Sequence, residues 1–585
     1  LIEADNGGRL TMGDERLGLV EQRDLPVTMR DGVVLRGDLF RPRTKTTLPA
    51  LLWRTPYDKQ RVIDQYDRFN RYVQAGYAVF VQDTRGRYRS DGVYPTMTRE
   101  NPADGPDGFD TVEWLAAQPF CNGTVGGMGT SYQAWMIWQY ARLRPPHLKA
   151  ISARTIPVEN FEYDWPGAFR PGRRVHWWMA TIAPDLRRRE GLPPPHTWQE
   201  GARLWELEHG KWLYTVPWSE LPKHMPKLLA QSVEEWFAQP SARPWRFDLA
   251  HHDVEVPNLD VTGWYDHCKA TMGHLAGMQR HAASEVARTQ TKLIIGPWNH
   301  VGLGQRTIGG VDFGPSAEVD LDGMIIRWFD HWLKGVDNGV DTEPPVRFFV
   351  LGEGRWATAD TWPPTPDTTM SLFLGSDGDA HRPDGSGRLG LEAGDGSDAD
   401  SYIYDPANPV PTLWGHDLFT VPADRGALDH RRDILRYRTP TLDADILVVG
   451  YPEVTLFAAS TAPDTDFFAW LIDEEPDGRA LDVCCGMVRA RHRHGIDLEE
   501  PLVPGEMTEF RIRLDPTACR FEAGHRILLE ITSSDFPSHD RNHNTGGNDL
   551  RESELMSASQ TVYHSKQASS RLDLPIQERC KEGAD

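Results

Sequence analysis

Gly123-Thr124-Val125-Gly126-Gly127-Met128-Gly129-Thr130-Ser131-Tyr132, continuing into the apolar run that ends at Arg142, is the stretch on which the fold turns. It predicts an apolar strand that stops abruptly at Ser131 and passes into a helix apolar nearly all round, hence buried. Gly129 stands two residues before the serine, where a side chain would clash with so tight a turn. This is the context of a nucleophile elbow, in which the strand-to-helix turn lifts a serine hydroxyl above the edge of a sheet. The second small residue of that pattern falls at Ala134, one place later than in its strict form. Two other readings of the same residues stand beside it. One is a plain Gly-Ser turn capping a helix. The other is a dinucleotide fingerprint opening at Gly127-Met128-Gly129, which lacks its third glycine because Tyr132 occupies that place.

Outward from the elbow, the sequence alternates strands and helices. Val33–Phe40, Pro49–Tyr57, Tyr77–Gln82 and Ala150–Ala153 read as strands, with an amphipathic helix over 107–118 between them. Such alternation predicts a parallel, doubly wound sheet covered on both faces. Residues 157–245 are rich in Trp, Arg and Pro, with helical patches at Arg174–Ile182 and Ser232–Ala238, and suggest a helical insertion. The α/β pattern resumes at Leu259–Asp266, a helix over Cys268–Ala282, the strand Thr291–Gly296 and a helix over Ile325–Gly335. Past about residue 345 short strands separated by Gly, Pro and Asp turns predict an all-β sandwich or jelly roll. Residues 375–400, rich in Gly, Asp and Ser, read as a long solvated loop. The expected division is 1–155 (α/β core, first part), 156–245 (helical cap), 246–350 (core, second part) and 351–585 (β jelly roll).

The 585 residues suffice for several domains, and 39% hydrophobic with 25% charged residues is a globular composition. A net charge of −22 argues against binding a nucleic-acid backbone or an anionic membrane surface. No run of 18 apolar residues predicts a membrane span. The six cysteines show no regular spacing and read as reduced thiols, which places the chain in a cytoplasm. The N-terminus has no basic region followed by an apolar run, so no signal peptide is expected. A homo-oligomer is left open.

A serine hydroxyl needs a base and an orienting acid. In α/β-hydrolases these follow in the order Ser, Asp or Glu, His. Asp266, in Gly263-Trp264-Tyr265-Asp266, and His300, in Gly296-Pro297-Trp298-Asn299-His300, each follow a predicted strand, on the same sheet edge as Ser131.

With these residues in place, the sequence resembles the cocaine esterase / X-Pro dipeptidyl-peptidase family of serine hydrolases, which includes α-amino-acid ester hydrolases. The likeness runs through Met29-Arg30-Asp31-Gly32, Thr55-Pro56-Tyr57-Asp58-Lys59, Gln82-Asp83-Thr84-Arg85-Gly86-Arg87, Ser90-Asp91-Gly92, Gln118–Gly123, the elbow, the Asp266 and His300 blocks, and Asp540–Gly546. It implies an α/β-hydrolase core with an inserted cap and a C-terminal jelly roll, with Ser131 as nucleophile, His300 as base and acid, and Asp266 as the orienting carboxylate. It further implies an oxyanion hole from the Tyr57 hydroxyl and the Tyr132 backbone N–H, and a substrate group held by cap aromatics, for which Trp165 and Trp177 or Trp178 are the candidates. His267-Cys268 departs from the cocaine esterase pattern, where Gly-Phe follows the acid, so that part of the pocket wall differs. Asp83 and Arg85 are expected to pair and fix a loop. Glu162 and Asp164 are read as solvated cap charges, the alternative being a hold on a substrate ammonium. His492 and His494 are expected on one face of a strand without a partner set, so neither a metal nor a cofactor is expected. The expected substrate is a bulky small-molecule ester. Amide or X-Pro peptide cleavage, acyl transfer by the same triad, and a non-catalytic binding role for the jelly roll are the alternatives.

Overall fold

Eight strands of the N-terminal part are β1 (Leu19–Thr28), β2 (Val34–Pro42), β3 (Leu48–Thr55), β4 (Ala78–Asp83), β5 (Cys121–Thr130), β6 (Leu148–Arg154), β7 (Asn258–Tyr265) and β8 (Lys292–Asn299). They come from a computed structural model that describes residues 18–66, 69–94, 103–156, 169–238, 248–394, 397–415 and 417–582. Their spatial order is β1-β2-β4-β3-β5-β6-β7-β8. From β4 to β8 neighbouring strands run parallel, while β1 and β2 join antiparallel at one edge. β3, β4, β7 and β8 are buried along their whole length, as parallel strands covered on both faces must be.

Helices Asp104–Ala116 and Tyr132–Ala141 cover one face, and Phe69–Gln74 and Leu321–Lys334 the other, in two separate apolar clusters. The glycines of β5 let both layers close. A Cβ on Gly126 would lie 2.7 Å from the Phe329 ring, and one on Gly127 2.2 Å from the Tyr140 hydroxyl. The sheet does not stop at residue 350. Val346–Val350 adds in parallel to β8, Arg355–Ala359 folds back antiparallel on it, and Lys581–Glu582 from the chain's last residues pairs with that strand.

Between β6 and β7 lies a helical insertion containing Gly172–His176, Trp177–Ile182, Ala183–Arg189, Trp198–Leu207 and Lys227–Phe237. Thr197 and Glu200 close a reciprocal capping box on the fourth of these. After Lys334 the described residues hold strands and short 3₁₀ turns, and the strands from Thr368 to Ile576 form a second, 13-stranded sheet system. The architecture is therefore an α/β-hydrolase core with an inserted helical cap and a C-terminal jelly roll. The stretch 375–400 is not one solvated loop: Arg388–Gly390 pairs with Phe373–Gly375, and the buried Asp400 carboxylate accepts the Ser376 hydroxyl at 2.7 Å. Among the described residues no helix is long and apolar enough to cross a membrane.

The sandwich meets both other parts. The Leu351 N–H donates to Ala518 O at 2.8 Å, the Tyr265 hydroxyl to Asp482 O at 3.1 Å, and the Gly172 N–H at the start of the cap to Ser538 O at 2.8 Å.

Candidate active site

The connection from β3 runs to β4 on one side, and β5 lies on the other side of β3, so the crevice between β3 and β5 is the topological switch point of the sheet. Ligands of open α/β sheets bind there, beyond the carboxyl ends of the strands. Tyr57 follows β3 and Ser131 follows β5 at that crevice. Ser131 has φ 60° and ψ −130°, a backbone conformation that costs an L-residue about 1–3 kcal/mol and persists only when its surroundings fix it. Here its N–H donates to Arg154 O on β6 at 2.9 Å and its carbonyl accepts the Trp135 N–H at 3.0 Å. Gly129 is required by the helix that follows, because a Cβ there would sit 2.8 Å from the Gln133 Cβ. Gln133 ties that helix to β3. Its Oε1 accepts the Trp53 indole N–H at 2.8 Å, and its Nε2 donates to Thr55 Oγ1 at 3.1 Å.

The half-buried Tyr57 accepts the Trp177 indole N–H at 3.2 Å. Burial holds its phenol above the ordinary tyrosine range, so the group stays protonated and able to donate. Tyr132 opens the helix, where backbone N–H groups have no acceptor within the helix itself. Its ring is buried against Trp135, and its hydroxyl donates to Asp104 at 2.7 Å. Trp177 stands edge-on to Tyr132 at 6.3 Å and so faces the crevice. Trp178 turns the other way, packed edge-on against Trp236 at 5.2 Å inside the cap. Trp165, Glu162 and Asp164 lie outside the described residues.

At the ends of the next strands, Asp266 follows β7 and His300 follows β8. His300 Nδ1 is 3.1 Å from Asp266 Oδ1, which also accepts the Cys268 N–H at 2.8 Å. Asp266 is completely buried, and the His300 side chain is 9% exposed. His267 and Cys268 lie against His300: the two imidazole centroids are 4.2 Å apart, and Cys268 Sγ is 3.7 Å from His300 Nδ1. Burial, and secondarily His300, push the His267 imidazole well below its usual range, leaving it neutral.

Sequence reasoning missed two contributors. Phe419, from the sandwich part of the chain, stacks on His300 with centroids 5.3 Å apart and planes 13° apart, and Asn299 Nδ2 anchors that segment by donating to Thr420 O at 3.0 Å. Arg87, fully buried, donates to Pro56 O beside Tyr57 at 2.9 Å and to Ile182 O in the cap at 3.1 Å, and so sets the cap over the crevice. No local pattern announces either residue; Arg87 at least lies in a stretch that carries the family likeness.

Two expectations are corrected. Asp83 and Arg85 do not pair with each other. Asp83 accepts the Lys59 and Arg89 N–H groups, and Arg85 bridges Asp107 and Asp31, because the loop after β4 points the two side chains apart. His492 and His494 are not on a strand. Ala490–His492 is a 3₁₀ turn in which His492 Nδ1 lies 3.1 Å from Leu498 O. Among the described residues, the four side chains Asp266, His267, Cys268 and His300 each offer a metal-ligating atom within 4.8 Å of the others, as do His543, Asp549 and Glu552.

Ser131, Asp266 and His300, which stand at this edge of the sheet, all lie within the stretch that a family model covers. Residues 31–302 match the X-Pro dipeptidyl-peptidase (S15 family) model, and residues 338–573 the X-Pro dipeptidyl-peptidase C-terminal non-catalytic domain. Cocaine esterase of Rhodococcus sp. (strain MB1 Bresler) is 33% identical over 573 residues, 94% of this chain and 98% of the relative. The chain belongs to the cocaine esterase / X-Pro dipeptidyl-peptidase family of serine hydrolases. Two solved structures share the fold over 98% of this chain and 99% of their own. One is an aminopeptidase from the marine sediment archaeon Thaumarchaeota archaeon (TM-score 0.79, 23% identity), the other an α-amino acid ester hydrolase (TM-score 0.77, 22% identity).

Proposed function

We infer that this family member hydrolyses an acyl ester of a bulky small molecule through a covalent acyl-Ser131 intermediate. The observation that carries the assignment of roles is the Asp266–His300 hydrogen bond at the same sheet edge as the Ser131 turn. With Asp266 accepting the Nδ1 proton, His300 Nε2 is the basic nitrogen and takes the Ser131 proton as Oγ attacks the ester carbonyl. The developing oxyanion receives the Tyr57 O–H and the Tyr132 N–H, and two aimed donors are what such an intermediate requires. His300 then gives its proton to the departing alkoxide as the ester C–O bond breaks. A water molecule, deprotonated by the same nitrogen, releases the acid. Trp177 supplies an apolar wall beside the crevice. The six cysteines form no disulfide among the described residues, which supports a reducing compartment, the cytoplasm.

Fluorophosphonate labelling together with a panel of ester and amide substrates tests the assignment. Labelling and p-nitrophenyl ester hydrolysis are expected in the parent and lost in Ser131→Ala, with kcat falling by about 10⁴–10⁶. Labelling that survives this substitution sinks it. If N-acetylation of an amino-acyl substrate abolishes turnover, the reaction is instead of the X-Pro dipeptidyl-peptidase or amino-acid ester hydrolase kind. Transfer to an added alcohol or amine in preference to water would show an acyltransferase.

A further inference from the structure

We propose that Asp266, His267, Cys268 and His300 form an inhibitory binding site for a thiophilic divalent cation, Zn²⁺ above all. The set is chemically apt. Two imidazoles, a thiol and a carboxylate are the donors zinc takes, and four of them complete its tetrahedron. The spacing is apt as well. Zinc–nitrogen and zinc–oxygen bonds of about 2.0–2.1 Å and a zinc–sulfur bond of about 2.3 Å give a tetrahedron with edges of roughly 3.3–3.6 Å. The structure shows 3.1 Å between Asp266 Oδ1 and His300 Nδ1, 3.7 Å between His300 Nδ1 and Cys268 Sγ, and 3.7 Å between His267 Nδ1 and Asp266 Oδ1. One donor atom from each residue lies within 4.8 Å of all the others. Three of the pairs are thus within a few tenths of an ångström of a tetrahedral edge, and side-chain shifts of up to about 1 Å bring in the others. Asp266 and Cys268 are buried, and both imidazoles are about one-tenth exposed, so the cluster is enclosed yet open at one edge.

The electronic consequence is specific. A cation on His300 Nδ1 takes the lone pair of that nitrogen, and the imidazole proton must reside on Nε2. Nε2–H cannot accept the Ser131 proton, and Asp266, bound to the cation, no longer orients the ring. Cys268 binds as the thiolate and loses its proton to solvent. The site thus converts the base into the wrong tautomer without blocking the crevice. His267 and Cys268 add an imidazole nitrogen and a sulfur beside Asp266 and His300, and so make this acid loop metal-binding.

The inhibitory half rests on the roles proposed above for Ser131 and His300, whereas the binding half does not, so the two are measured separately. Full-length protein stripped with EDTA is titrated with ZnCl₂ by calorimetry, and with CoCl₂ by absorbance. Expected are one high-affinity Zn²⁺ per chain and a near-ultraviolet thiolate-to-cobalt charge-transfer band. Cys268→Ser should abolish the band. Cys268→Ser and His267→Phe should each weaken Zn²⁺ binding by at least ~10-fold, since losing even an outer partner of a metal ligand costs about 10–100-fold. Ester hydrolysis should fall in step with occupancy and return with EDTA. Circular dichroism checks that both variants fold, and the parent's cobalt band reports the thiolate without any variant. Absence of the band, or binding unmoved by both variants and reduced instead by Glu552→Gln in the second donor cluster, overturns the site. Binding that needs Cys268 but leaves hydrolysis unchanged overturns the inhibition. A parent that hydrolyses no ester but still gives the band refutes the functional reading and leaves the site standing.

Discussion

The crown of the parallel sheet and the core of the sandwich both bury charged groups, to opposite ends. In the sandwich, Arg489 grips Asp466 with two bonds of 2.9 and 3.0 Å and reaches Asp540 at 3.3 Å. Arg491 holds Asp464 at 2.7 Å and also Asp549, while Asn542 donates to Asp464 and Asp466. The Arg170 N–H at the cap donates to Asp540 at 2.7 Å. Each charge there has at least two hydrogen-bonding or charged partners, and the array locks a segment of the chain, Asp540–Asn542, against the cap. At the crown, Asp266 carries one imidazole and one N–H on Oδ1, and its buried Oδ2 has no hydrogen-bond partner among the described residues. Saturated charges fix shape, whereas the Asp266 carboxylate has, among the described residues, a single imidazole hydrogen-bonded to it, that of His300. Removing one partner from a buried ionic array costs far more than the array contributes, because the remaining charges stay buried and unpaired.

The contrast breaks first at Arg489. Arg489→Met strips Asp466 of its bidentate partner and is expected to cost about 3–5 kcal/mol of stability. Thermal melts should show the loss, while kcat per labelled Ser131 stays that of the parent; a variant as stable as the parent would remove the structural half of the comparison. At the crown, Tyr57→Phe removes a hydroxyl but little volume. It should lower kcat by about 10²–10³ with the melting temperature held, as read by steady-state kinetics beside a melt. Phe419→Ala joins the two regions, since it takes a sandwich residue off the His300 ring. A loosened base should cost on the order of 10-fold in kcat, up to about 10² if the ring swings by an ångström. An unchanged kcat would show the sandwich to be a bystander.

The smallest effect concerns Asp260, in the middle of β7, six positions before Asp266. Burial pushes its carboxyl well above the usual carboxylate range, with the Asn258 side chain beside it. The folded chain therefore keeps a proton that the unfolded chain releases above about pH 4, so this residue's contribution to stability falls as pH rises from that value toward the raised one. Asp260→Asn carries no such proton. Its melting temperature should exceed the parent's by a margin that widens from pH 5 to pH 8, worth more than about 1 kcal/mol. A constant margin would show that Asp260 does not titrate on unfolding.

The elbow, the doubly wound sheet and the places of Asp266 and His300 were legible because each depends on local pattern. Apolar runs of strand length alternate with helical ones, and the residues just past a parallel strand necessarily crowd one edge. Gly129 too read correctly as a place without room for a side chain, although its neighbour Gln133 was not nameable, whereas the approach of Phe329 to Gly126 and of Tyr140 to Gly127 carried no signal in the sequence. Trp177 and Trp178 are neighbours in sequence, and no pattern could tell that one faces Tyr57 while the other packs on Trp236. That split depends on how the cap settles on Arg87.

The sequence by itself determined that a serine on a tight strand-to-helix turn would stand at the carboxyl edge of an α/β sheet, with a histidine and an acid on later strand ends and a β module behind them. Only the tertiary structure decided that Phe419, 119 residues after His300, closes on its ring, that His267 and Cys268 turn toward His300, and that the last described strand, Lys581–Glu582, returns to the first sheet. The reason is range. Propensity and periodicity act over a few residues and set each element, whereas these contacts join segments whose separation in sequence carries no signature, and they form only when buried surface and paired charges are settled for the whole molecule at once.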